Sequence, residues 1–180
     1  MSRFCLSLLF AIAVTLHDIE EALWLPGWIR AHVRTRFDPN PKAYCIATSL
    51  ITVVVWIATL AAGFWPDVQS YQFVLSGFAF AMGFNAIAPH LWMSLIRRSY
   101  MPGVITGVLL NLPLALFLIH AELRSCSVSR LLFYWQTILY AVLLGLVAFG
   151  SLAALHFLYG KFETSTKRHA PDRPLPQDIE

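Results

Sequence analysis

Charge is scarce in this sequence. Only 13% of its 180 residues are Asp, Glu, Lys or Arg, whereas 58% are hydrophobic and the mean hydropathy is +0.63. A soluble domain of this size carries about a quarter charged residues. The shortage, together with apolar runs long enough to cross a bilayer, excludes an ordinary soluble domain and points to an integral membrane protein. Cysteine is nearly absent as well. Cys5, Cys45 and Cys126 form no close pair and no metal-ligand spacing, which excludes a disulfide framework and a cysteine zinc site. The net charge of +3 is small, and the basic residues cluster between apolar segments, where topology explains them. Nucleic acid is therefore not an expected partner. The first apolar run lacks the small-x-small site of a cleaved signal peptide, and acids sit where that site would be needed. No internal repeat is visible.

What is present is a series of five apolar segments, each near the roughly 20 residues a span needs. They run from about Phe4 to Leu25, Ala43 to Trp65, Tyr71 to Ile96, Tyr100 to His120 and Leu131 to Tyr159. Pro26-Gly27 reads as the end of the first, and Gly160-Lys161 as the exit of the fifth. The expected fold is an all-α, polytopic transmembrane bundle of about five spans over residues 1–160. Residues 161–180, polar and proline-rich, read as a disordered tail. With the N-terminus outside, ten Lys and Arg fall on the inner side and three on the outer, so the positive-inside rule gives N-out, C-in.

Against this apolar background one stretch stands out. His17-Asp18-Ile19-Glu20-Glu21 places four titratable groups in five residues of the first span. An ionisable group inside a membrane is costly and marks function by default. On a helix Glu20 and Glu21 lie three and four residues after His17, so one imidazole and two carboxylates share a face. At 1.5 Å per residue, Glu21 and His17 lie roughly 8 and 14 Å before the end of the first span. His90 lies about 10 Å from Arg97 and His156 roughly 8 Å from Lys161, all at the same, cytoplasmic end. Tyr100 opens the fourth span there, Asn85 and Asn111 fall near mid-membrane, and His120 lies at the opposite face.

Three groups of residues carry a family resemblance: His17-x-x-Glu20-Glu21, His90 within Asn85-Ala-Ile-Ala-Pro-His90-Leu, and Tyr100-x-Pro102-Gly103. Together they resemble the three marks of the HXXEE-domain membrane proteins. Ala22-Leu23-Trp24-Leu25-Pro26 and Gly107-Val-Leu-Leu-Asn111-Leu-Pro113-Leu are similar to that family too, and the likeness spans about residues 10 to 120. It implies a polytopic protein of the bacterial inner membrane and leaves the reaction open.

Two chemistries suit the constellation. In the first, His17, Glu20, Glu21 and His90 bind iron, zinc or manganese, with His156 a possible fifth ligand and Tyr100 or Asn85 orienting the set. In the second, no metal is needed: Glu20, Glu21, His17 and Tyr100 move protons, as isomerases and cyclases of lipids do, and Trp24 and Trp92 could face a carbocation. Either way the expected substrate is a hydrophobic, lipid-like or isoprenoid molecule arriving from the bilayer, with Asn111 able to bind it. A transporter or proton relay is a third class, although the repeats and broken helices common in transporters are not apparent in the sequence. A His–Glu network that only ties helices together is the plainest alternative.

Overall fold

The computed structural model describes residues 2–33, 40–125 and 127–168, with side chains as far as residue 158. The basic, proline-rich loop expected around Arg34, Arg36 and Pro39, residue Cys126, and the tail beyond Arg168 lie outside the described residues.

Among the described residues, five long helices make up the fold. Helix α1 spans Arg3–His32 and is capped by Ser2, whose hydroxyl oxygen accepts from the Cys5 N–H at 3.2 Å. It continues through Pro26, where the sequence suggests a stop. Proline removes one backbone donor, but Pro26 is buried, and membrane helices tolerate such a loss where neighbouring elements pack around it. Helix α2 spans Pro41–Phe64; Asn40 Oδ1 accepts from the N–H groups of Lys42 and Ala43, and proline occupies the first helical position, where its missing donor costs nothing. Helix α3 spans Gln69–Arg97 and α4 spans Val104–Ser125. Helix α5 spans Arg130–Arg168, past the expected exit at Gly160-Lys161. One glycine costs a helix only about 1 kcal/mol, and no proline follows until Pro171.

The chain is an integral membrane protein with a polytopic all-α fold. Helices α2, α3, α4 and the α5 stretch Arg130–Leu158 are long and apolar enough to cross a membrane. Helix α1 has the length, at 30 residues, but its acids dilute its apolar character. It packs on α2 and α4, α4 on α3, α3 on α5, and α2 on both α3 and α5. The core draws Leu6, Phe10 and Val14 from α1, Val55 from α2, Leu75 and Phe78 from α3, and Leu118 from α4.

The α1 stripe has a consequence for function. Leu6, Phe10 and Val14 recur at helical spacing, and the next positions on that face are His17, Glu21 and Leu25. The polar centre is thus a continuation of the hydrophobic face, turned inward by the same packing. Beyond it, Leu25, Trp28 and Met101 form a small second core with Tyr44 and Met93 against it. This core seals the end of the bundle where α1 leads towards α2.

Candidate metal centre

Two irregular helical turns bring the remaining groups to α1. In α3 the α-helix gives way to a π turn over Ala86–Leu91, with an extended residue at Ala88 and a cis bond between Ala88 and Pro89. The break in the helix at Ala88 leaves Asn85 and His90 facing each other, with Asn85 Nδ2 3.1 Å from His90 Nε2. In α4 a second π turn covers Gly107–Asn111 and packs against the first.

Between α3 and α4 the chain reverses through Arg98, at φ 48°, and Gly103, at φ +92°. Gly103 is required there twice over. Its φ lies in the region that L-residues avoid, and a Cβ built on it would stand 2.6 Å from His90 Cε1 and 3.0 Å from His17 Cε1. The Tyr100-x-Pro102-Gly103 turn is therefore the floor on which both imidazoles rest.

His17 and His90 are each 1% exposed, and their rings meet edge to face with centroids 5.0 Å apart. Glu21 Oε1 lies 3.2 Å from His17 Nε2 and 2.6 Å from His90 Nε2. Asn85 Nδ2 stands 3.1 Å from both Nε2 atoms. Each Nε2 can accept from the Asn85 amide or donate to Glu21, according to whether it carries a proton. A carboxylate oxygen 2.6 Å from an imidazole lone pair needs a cation between them, a proton or a metal ion. His17, Glu21 and His90 each offer a ligand atom within 4.8 Å of the others, the one such group of His, Cys, Asp and Glu side chains among the described residues. In a tetrahedral zinc site, bonds of about 2.0–2.1 Å place ligand atoms roughly 3.3–3.5 Å apart. The set fits an ion after small adjustments. The protein thus holds a buried His/Glu cluster able to bind a metal ion.

Glu20, also expected among the ligands, turns elsewhere. Its Oε1 accepts from the Tyr100 hydroxyl and from the Gly103 N–H at 2.6 Å, and its Oε2 accepts from the Thr106 hydroxyl at 2.6 Å. Because Thr106 spends its proton on Glu20, its oxygen accepts from His17 Nδ1–H at 3.0 Å. That contact places a proton on His17 Nδ1 and turns its Nε2 towards Glu21. Consecutive residues on a helix point about 100° apart, which is why Glu21 meets the histidines while Glu20 meets the turn. Tyr100 lies outside the spans; partial burial and then its bond to Glu20 push its phenol up to about 12, so it remains a donor.

The other residues singled out in the sequence fall in varied places. Asn85 bridges the two histidines. Asn111 is fully buried. Asp18 accepts from the Thr52 hydroxyl of α2 at 2.5 Å. Trp24 and Trp92 are well exposed on the outer surface, at 57% and 62%. His156 is half-buried on α5, which packs on α3 and α2, and it is not among the three clustered ligands. Thr106, Thr52 and the Gly103 N–H are partners that the sequence reading did not name. The spacing of Thr106, one turn after Gly103, is the single clue the chain offers.

Comparison with known proteins agrees with this architecture. The profile of the family described as "Protein of unknown function with HXXEE motif" matches residues 8–118, which contain every residue of the centre. A Bacillus subtilis (strain 168) protein, "Uncharacterized protein YrkK", is 30% identical over 139 residues, covering 77% of this chain and 88% of its own length. No solved structure matches.

Proposed function

We infer the function from one premise: the chain belongs to the HXXEE-motif family. The reading best supported is a membrane-embedded, metal-dependent enzyme acting on an apolar substrate from the bilayer. A single observation carries it: two imidazole nitrogens and a carboxylate oxygen converge in a buried place among apolar helices. Two histidines and one carboxylate leave a fourth position for substrate or water, as catalytic rather than structural sites do. Zinc, iron and manganese all accept this donor set. A divalent ion bound there supplies a Lewis acid.

The chain's own residues do the rest. His17, His90 and Glu21 would hold the ion. Thr106 keeps the His17 proton on Nδ1, away from the ligand set. Glu20, joined to Tyr100, Gly103 and Thr106, holds or releases a proton at the edge of the centre. The surrounding helices exclude bulk water, and a lipid-like or isoprenoid molecule suits such walls. On the positive-inside argument the centre faces the cytoplasmic half of the membrane.

The same relay supports a second reading, a metal-free isomerase or cyclase in which Tyr100, Glu20, Thr106 and His17 move protons along a hydrogen-bonded chain. Elemental analysis of detergent-purified protein separates the two. The metal reading expects about one equivalent of zinc, iron or manganese, lost in Glu21→Gln and in His90→Ala, since a neutral amide or a methyl group is a poor replacement ligand. Stoichiometric metal that persists in both variants would refute it. An active preparation free of metal would establish the relay instead.

A further inference from the structure

Asn111 is the most anomalous residue of the bundle. It is 0% exposed, and neither its Oδ1 nor its Nδ2 has a hydrogen-bond partner among the described residues. Buried polar groups almost always find partners, and inside a membrane no bulk water makes up the loss. A leucine would fill similar space without that cost. The position therefore keeps a polar side chain for a partner that is not part of the chain.

Its place in the fold indicates where that partner lies. Gly103, Gly107 and Asn111 follow one another at four-residue spacing along the start of α4. The Gly103 and Gly107 positions both abut His17: built Cβ atoms there would stand 3.0 and 3.4 Å from its Cε1. Asn111 lies four residues on, about 6 Å further along the helix axis, away from the Tyr100 turn and towards mid-membrane. It ends the π turn of α4, a distortion that is found frequently at functional sites. The amide thus stands on the membrane-interior side of the His/Glu centre.

We propose that Asn111 is the recognition residue of the centre, and that its amide binds a head group that donates and accepts hydrogen bonds side by side. A protonated carboxylic acid or a primary carboxamide on an apolar chain has this pattern. The carbonyl oxygen and the syn N–H of an asparagine lie parallel on one edge, so such a head pairs with both at once. An alcohol satisfies one of them well, and an alkane neither. The assignment deepens the reading of the centre as a substrate site and rests on it.

The experiment uses full-length protein in dodecyl maltoside, with metal content measured first. Binding of hexadecanamide, hexadecanoic acid, hexadecanol and hexadecane is followed by tryptophan fluorescence. Wild-type protein should bind the amide and the acid at least roughly tenfold more tightly than the alkane, the alcohol falling between, since each hydrogen bond contributes about a factor of ten. Asn111→Leu should lose that discrimination, keep its metal, and melt a few degrees higher, because an unpaired buried amide has been replaced by an apolar group of similar size. An Asn111→Leu protein that melts lower and still discriminates overturns the proposal, and shows that the amide is satisfied by a trapped water or an internal partner. Equal binding of all four probes by the wild type overturns it too, even if the variant does not fold. Discrimination by a wild type without metal would sustain Asn111 and sink the metal reading; stoichiometric metal without discrimination would do the reverse.

Discussion

Replacing Gly103 by alanine tests the geometry of the centre most directly. The added methyl group meets two obstacles. At φ +92° a residue with a Cβ costs about 1–2 kcal/mol more than glycine. The methyl carbon would also lie 2.6 Å from His90 Cε1, 2.8 Å from its Nδ1 and 3.0 Å from His17 Cε1, where carbon atoms prefer about 3.5–4.0 Å. The His90 ring must retreat by about 1 Å, half the length of a ligand bond of about 2 Å. Adding an overpacking cost of about 1–3 kcal/mol gives a loss of about 2–5 kcal/mol, or a fall in Tm of roughly 5–15 °C. Metal affinity should drop at least tenfold. Gly107→Ala is the matched control. Its backbone is helical, at φ −62°, and the new methyl would sit 3.2 Å from Ala86 Cβ, so the neighbours need to give only slightly. Thermal melts in detergent and metal titration by competing chelators read both quantities. A Gly103→Ala protein that binds metal as tightly as the wild type and melts within about 2 °C of it would refute the account of the turn as the floor of the centre.

Two further perturbations separate the supporting groups. Thr52→Val removes the hydroxyl that donates to Asp18 Oδ2 and should cost about 1–3 kcal/mol in thermal stability while leaving the metal content unchanged, since Asp18 lies outside the three-ligand set; loss of metal would place Asp18 in the centre after all. For Tyr100, whose phenol rises from 10.0 to about 12, the protonated form is favoured by the folded protein, so its contribution to stability is complete below pH 10 and is lost as the pH rises through 12; the difference in ultraviolet absorbance between wild type and Tyr100→Phe should show this titration near pH 12, and a step near pH 10 would contradict the bond to Glu20.

Much of this arrangement is legible in the sequence because membrane physics limits the options. Apolar runs of about 20 residues give the helices, and ionisable residues inside them stand out by their cost. His17 and Glu21, four apart on one face, and His90, at the matching depth on α3, meet as their spacing suggests. The limits are equally physical. Glu20 is one residue from Glu21, yet helical geometry sends it to a different partner. Thr106 and Thr52 are common residues in apolar helices, and only the packing of α4 and α2 on α1 gives them their roles. Pro26 and Gly160 read as stops because a lone helix would end there, whereas burial of Pro26 and the absence of a following proline let α1 and α5 continue. His156 has a similar depth, but it is not among the three side chains that converge.

The Asn85 amide bears on how readily the centre exchanges its cation. Its amide nitrogen stands 3.1 Å from the same two Nε2 atoms that an incoming ion would need. An ion bound there would displace both contacts, and the amide would then act as an internal competitor that lowers affinity. Asn85 also ends the regular part of α3, so its two contacts tie the start of the kink to both imidazoles of the centre.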